Sequence, residues 1–120
     1  MLARIRERVG RGAALLDGRL GNDWHRRIAR VEELDVGNAY RCVLGQMCGS
    51  YCRGLRELGI EDGPADPGEL GFGMPHSAEE NCLTSAAWRN LIKLRLCEDE
   101  CRKKPLSVML RIRLLLRRAA

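Results

Sequence analysis

Six cysteines give this sequence its widest range of side-chain chemistry, and four of them form two pairs with three intervening residues. The pairs are Cys48/Cys52 and Cys97/Cys101, and on a helix the members of each pair would share one side. If two such helices packed antiparallel, the four sulfurs could converge on a zinc ion or form two disulfides between the helices. Zinc knuckles normally leave two residues between paired cysteines, and a reducing cytosol disfavours disulfides. Ordinary buried or exposed thiols are therefore the favoured interpretation.

Acid–base and nucleophilic catalysis has little support in the sequence. The two histidines are His25 and His76. His25 lies between Trp24 and Arg26 and is expected on the surface of a helix, and nothing in the local sequence pairs His76 with Cys82. The sequence contains no nucleophile elbow, zinc-protease motif or dinucleotide-binding fingerprint. We therefore expect a non-enzymatic protein that needs no cofactor, with zinc as the one alternative.

The composition indicates the scaffold that must position these side chains. A chain of 120 residues is the size of one domain. Leu and Ala together supply 29 residues, whereas Val, Ile and Thr supply 11, and this balance favours helices over strands. No apolar run approaches the roughly 20 residues that a membrane-spanning helix needs, and the charged N-terminus is unlike a signal peptide. We predict a small all-α bundle of about four to five helices, cytoplasmic and without a transmembrane segment.

Apolar residues at helical spacing place the first two helices. Between residues 2 and 20 they recur every three or four positions, which is the period of one helix face. Gly10 and Gly12 each weaken this segment by roughly 1 kcal/mol relative to alanine, so the first helix is expected to begin near Arg11. A short second helix is expected to place Trp24 in the core.

The middle of the chain combines a long helix with an irregular segment. The third helix is expected over about residues 39–58, with a kink near residues 49–50 where a glycine precedes a serine. A Gly- and Pro-rich loop follows at about 60–76. Within it, Leu70 and Phe72 are expected to fold back onto the core.

The start of the fourth helix has the clearest local signal. Ser77 followed three residues later by Glu80 fits a capping box. Apolar residues at spacings of three and four then predict the apolar stripe of this helix, which comprises Leu83, Ala87, Leu91, Leu94 and Cys97 or Glu98 and is widened by Trp88 and Ile92. Pro105 is expected to end the helix, which divides the chain into a helical core at 1–104 and a C-terminal helix at 105–120.

The C-terminal helix carries much of the positive charge of the chain. Residues 81–120 contain ten basic residues against three acidic ones. The segment after Pro105 is amphipathic and too apolar to remain isolated in water. Its apolar and basic side chains form the candidate partner-binding set, which comprises Ile112, Leu115, Leu116, Arg111, Arg113, Arg117 and Arg118.

Several short motifs follow one another along the chain. They are Gly12-Ala13-Ala14-Leu15-Leu16-Asp17, Trp24, Ile28, Cys42-Val43-Leu44-Gly45-Gln46, Gly49-Ser50-Tyr51, Gly54, Leu58-Gly59, Leu70-Gly71-Phe72 and Leu83-Thr84-Ser85-Ala86-Ala87-Trp88-Arg89-Asn90-Leu91-Ile92. In these motifs and their order, the chain resembles, over about residues 12–95, a group of small uncharacterised proteins from mycobacteriophages and related actinobacterial phages and prophages. The resemblance implies a phage accessory protein in the cytoplasm of a bacterial host. It carries no established activity, and it does not extend to Cys97 and Cys101.

Three hypotheses of function remain open at this point. The leading one is a helical interaction module that binds a host protein, a phage protein or a second copy of itself through the C-terminal helix. The second is nucleic-acid binding, in which the basic residues from Arg95 onward neutralise phosphates. The third is a small zinc protein with Cys48, Cys52, Cys97 and Cys101 as ligands.

Overall fold

α-Helices account for most of the regular structure in residues 1–73 and 75–103, the part of the chain that the computed structural model describes. This part contains four helices, α1 (Leu2–Leu20), α2 (Val43–Cys48), α3 (Tyr51–Glu57) and α4 (Ala78–Lys103). Three 3-10 turns lie between them, at Trp24–Arg27, Val31–Glu33 and Pro67–Leu70. No strand occurs in these residues, so the all-α prediction is confirmed. The predicted helix at 105–120 lies outside the described residues.

Helix α1 begins nine residues earlier than the sequence predicts. It is helical from Leu2, through both Gly10 and Gly12. Ile5 and Val9 are buried in the core, and burial of two large apolar side chains outweighs the low helix propensity of the glycines. Gly12 is required by close packing, because a Cβ there would lie 2.0 Å from the carbonyl oxygen of Leu70.

The predicted third helix is two helices separated by a sharp break. Gly49 adopts a φ of 97° at the end of α2, a conformation that disfavours any side chain. Ser50 then caps α3, because its hydroxyl accepts a hydrogen bond from the backbone N–H of Arg53. The predicted kink therefore lies at the correct residues, but one helix ends there and a second, separately capped helix begins, so the chain does not form one continuous bent helix.

The loop before α4 closes the core, as the sequence predicts. Leu70 and Phe72 are buried. The Phe72 ring stacks on the indole of Trp88, with 5.3 Å between ring centroids. The indole N–H of Trp88 donates a hydrogen bond of 2.8 Å to the carbonyl oxygen of Gly71. Stacking and hydrogen bonding together fix the loop against α1 and α4.

Helix α4 begins where the capping box predicts. The hydroxyl of Ser77 accepts a hydrogen bond from the N–H of Glu80, and the Glu80 carboxylate accepts one from the N–H of His76. The buried face, however, differs from the predicted stripe. Its buried side chains are Thr84, Ser85, Trp88, Ile92 and Asp99.

The predicted stripe was correct for Trp88 and Ile92, which are buried, and wrong for Leu94 and Cys97, because apolar residues occupy both sides of α4. Leu83, Ala87 and Leu91 are partly buried at the edge of the core, whereas Leu94 and Cys97 face solvent. Spacing alone identifies a helix but does not decide which of two apolar sides packs inward. Trp88 decides it here, because its large ring contacts α1, Phe72 and Trp24.

The predicted second helix is a single 3-10 turn. Residues 24–27 form the turn, and Trp24 at its start is fully buried as expected. In residues 1–73 and 75–103, none of the helices has both the length and the apolar composition needed to cross a bilayer.

Candidate functional site

A cluster of two buried residues, His25 and Asp99, and the exposed Arg26 joins the first 3-10 turn to the end of α4. Nε2 of His25 lies 2.6 Å from Oδ2 of Asp99, and Nε of Arg26 lies 3.0 Å from the same oxygen. The hydrogen bond from Arg26 and the one from His25 lower the pKa of Asp99 to about 2. Asp99 is therefore a carboxylate, which can only accept, so the Nε2–H of His25 donates.

The surface position expected for His25 was wrong. The side chain is 3% exposed. Its partner Asp99 lies on the inward side of α4, in line with Trp88 and Ile92. An acidic residue on an otherwise buried face was the available sequence signal, because a buried carboxylate needs a partner.

A second ion pair lies beside the first and ties α1 to α4. Both carboxylate oxygens of Asp17 accept hydrogen bonds from Arg95, at 2.6 and 3.0 Å. Asp17 also accepts a bond of 2.8 Å from the indole N–H of Trp24, and the Arg95 guanidinium lies over that indole. The hydrogen bond from Arg95 is the main reason that the pKa of Asp17 is lowered.

A carboxylate hydrogen-bonded to an imidazole is an arrangement that general bases use, but the geometry here opposes that role. A general base needs its free ring nitrogen within hydrogen-bond reach of a substrate. Nδ1 of His25 is buried and has no hydrogen-bond partner among the described residues. The adjoining depression has a volume of about 270 Å³ and is lined by Asp17, Asn22, His25, Arg95, Glu98, Asp99 and Arg102. Asp17 is engaged with Arg95, and Asp99 is engaged with His25 and Arg26, so the cluster positions α4.

The opposite side of α4 carries the second candidate site. Residues spaced four and three apart form a stripe that begins at the edge of the core, where Leu83 and Ala87 are partly buried, and continues along the solvent-facing side of the helix. We call this set the outer stripe: Leu83, Ala87, Asn90, Leu94, Cys97 and Cys101. The spacing is the heptad pattern of a coiled-coil seam. From Asn90 onward every member is exposed, and Leu94 is 61% exposed.

Charged residues flank the exposed part of the outer stripe. Lys93 lies on one side of Leu94, and Glu98 lies on the other side of Cys97. Lys93 also forms an exposed ion pair with Glu32 of the second 3-10 turn. An exposed pair of this kind contributes little to stability, so Lys93 is available to another carboxylate.

The structure does not gather the four cysteines of the zinc hypothesis. The break at Gly49 separates Cys48 from Cys52, so this pair does not share one helix face. Cys97 and Cys101 do share one face, and both are exposed free thiols. Among the described residues, no three or more His, Cys, Asp and Glu side chains lie together in a way that could hold a metal ion.

The remaining predicted residues fall into two groups. The candidate partner-binding residues Ile112, Leu115, Leu116, Arg111, Arg113, Arg117 and Arg118 lie outside the described residues. Of the basic residues assigned to nucleic-acid binding, Arg95 is engaged with Asp17, whereas Arg102 and Lys103 are exposed. The outer stripe as an exposed surface is a feature that sequence reasoning missed, since Leu94 and Cys97 were assigned to the same stripe as the buried Trp88 and Ile92.

No family model matches the chain, and neither a curated relative nor a solved structure matches it.

Proposed function

We propose that this protein is a non-enzymatic helical interaction module that associates with a second copy of itself through the outer stripe of α4. The observation that supports the proposal is the exposed heptad pattern at Asn90, Leu94, Cys97 and Cys101. An α-helix with a second apolar side, opposite the side that packs on its own core, reduces its water-exposed apolar area when another helix covers it.

Charge complementarity supports a second copy as the partner. In a parallel pair of α4 helices, the flanking residue Lys93 of one copy faces Glu98 of the partner subunit, and the contact occurs twice by symmetry. In an antiparallel pair that aligns the exposed parts of the stripe, Lys93 faces Glu100 of the partner subunit. Both orientations therefore place opposite charges beside the apolar seam.

The size of the exposed seam predicts a reversible association. Leu94 is the one large apolar side chain in the exposed part of the outer stripe. Burying a leucine contributes roughly 1.5–3 kcal/mol, whereas association costs about 4 kcal/mol or more in translational and rotational freedom. Two leucines and the flanking ion pairs thus give a weak dimer. A weak self-associating module fits the accessory role in a bacterial cytoplasm that the phage resemblance implies.

Light scattering coupled to gel filtration tests the proposal on the full chain. In reducing buffer, we expect the mass to rise with concentration toward twice the chain mass of 13.5 kDa. L94E should remain monomeric in either orientation, because it replaces the one large apolar side chain of the exposed seam with a carboxylate that would have to be buried. L2E is the matched control, since Leu2 is an exposed leucine on α1, and it should behave like the wild type.

Two results would overturn the proposal. One is a wild-type chain that stays monomeric at every concentration, with or without added zinc. The other is an L94E variant that keeps its helical circular dichroism and associates as strongly as the wild type.

A further inference from the structure

We propose that Cys97 and Cys101 of two copies together form a four-thiolate site for zinc, which holds the two α4 helices parallel. The inference rests on the proposed self-association, and it adds the metal ion that joins the two copies and the relative orientation of their α4 helices. It differs from a site within one chain, because Cys48 and Cys52 take no part.

The geometry within one helix suits two ligands on one metal. Cys97 and Cys101 are separated by one turn of α4, both are exposed, and both belong to the outer stripe. Their Cβ atoms are about 5–6 Å apart at this spacing. A Zn–S bond of about 2.3 Å in tetrahedral geometry needs sulfurs about 3.8 Å apart, which side-chain rotation can reach. Two histidines at this spacing on one helix bind zinc in the HExxH motif, so the spacing allows two side chains of one helix to reach one metal ion.

One copy alone cannot complete the coordination. Structural zinc takes four ligands, and no third His, Cys, Asp or Glu within residues 1–73 and 75–103 joins Cys97 and Cys101 in a metal-binding group. In a parallel pair, Cys97 meets Cys97 of the partner subunit in one layer of the seam. Cys101 meets its counterpart in the next layer, so four sulfurs surround one point.

The alternative orientation provides no such site. In the antiparallel pair described above, Cys97 lies opposite Leu94 of the partner subunit and Cys101 lies opposite Asn90. The cysteine pair is therefore what selects the parallel arrangement, whereas the flanking charges are compatible with both.

Charge and proton balance are consistent with metal binding. Four thiols release four protons to solvent as four Zn–S bonds form, leaving a net charge of −2 on the zinc and its ligands. Glu98 and Glu100 add negative charge nearby, whereas Arg102 and Lys103 of each copy supply positive charge within one turn of Cys101. No oxidant or reductant is required.

Zinc content and mass, measured together on the full chain, test the inference. The protein is kept in a non-thiol reductant to prevent disulfides, treated with EDTA or with zinc chloride, and passed through gel filtration with light scattering and elemental analysis. We expect zinc to convert the wild type into a dimer with about one zinc ion per two chains, and to lower the concentration needed for dimerisation about 100-fold or more.

Double variants separate the two cysteine pairs. C97S/C101S should lose the bound zinc and the zinc-induced dimer. C48S/C52S is the matched control, because it removes the same number of thiols at the same spacing, and it should retain both.

The outcomes separate this inference from the proposed function. If the wild type and C97S/C101S dimerise equally and neither holds zinc, the metal site is refuted and the self-association stands. Zinc bound at about one ion per monomer, or lost from C48S/C52S, also refutes the shared site. A wild type that remains monomeric under every condition refutes both proposals.

Discussion

His25 and Asp99 are 74 residues apart in the sequence, yet Nε2 of the imidazole lies 2.6 Å from the carboxylate of Asp99. This contact fixes the last turns of α4 to the 3-10 turn that contains His25. Because Asp99 points inward, the residues on the far side of the same turns, Cys97 and Cys101, face outward. The cluster thereby determines which side of α4 faces outward.

The Asp99 cluster makes the fold sensitive to acid. Arg26 and His25 lower the folded-state pKa of Asp99 to about 2, whereas an unfolded aspartate titrates near 3.9. The unfolded state therefore binds the proton first, and the stability from Asp99 is present above about pH 5 and lost as the pH falls toward 2. Asp17, with its pKa lowered chiefly by Arg95, acts in the same direction.

Urea unfolding of D99N at pH 7 and pH 2.5, followed by circular dichroism, measures this effect. D99N should be less stable than the wild type at pH 7, and the difference should shrink at pH 2.5. E100Q removes an exposed carboxylate one residue away and serves as the control. Equal pH dependence in D99N and the wild type would show that the Asp99 contacts do not form in solution.

The close approach of α1 to the 67–70 turn predicts opposite effects for two glycine substitutions. G12A places a methyl group against the Leu70 carbonyl and the Trp88 ring, and such overpacking costs about 1–3 kcal/mol. G10A has no atom within 4 Å of its new Cβ, so the gain in helix propensity should stabilise the protein by about 0.5–1 kcal/mol. Urea midpoints compare the two, and equal stabilisation by both would contradict the packing.

Thiol reactivity should divide the cysteines according to their exposure. Cys42 is 3% exposed, and burial raises the pKa of its thiol, so its alkylation should be about 10-fold slower or more than that of an exposed cysteine. Cys82, Cys97 and Cys101 are exposed and should react rapidly in EDTA. Mass spectrometry of iodoacetamide-treated peptides gives the order, and a Cys42 that reacts as fast as Cys82 would contradict the buried position.

Helix content and the capping of α4 could be predicted from the sequence because their causes are local. Ser77 and Glu80 lie within one turn of each other. Gly49 adopts a positive φ, which glycine does without steric cost, so the residue type itself indicates a helix end. The start of α1 could not be predicted in this way, since it depends on the burial of Ile5 and Val9 by segments distant in sequence.

The candidate sites depend on contacts between residues that lie still farther apart in the sequence. Nothing beside His25 in the sequence indicates that its partner is Asp99. The choice between the two apolar sides of α4 depends on Trp88, whose indole contacts Phe72 and Trp24 from other segments. Periodicity predicted a single apolar stripe on this helix and did not show that Leu94 and Cys97 would face solvent.

Contacts between the two copies at Leu94 test the central claim most directly. A dimer is assembled from one ¹³C-labelled and one unlabelled copy, and isotope-filtered nuclear Overhauser spectra report only contacts between the copies. We expect contacts from the Leu94 methyl groups to Leu94 and Cys97 of the partner subunit. Intermolecular contacts that arise from another surface, such as that around Tyr40, with none at Leu94, would contradict the account.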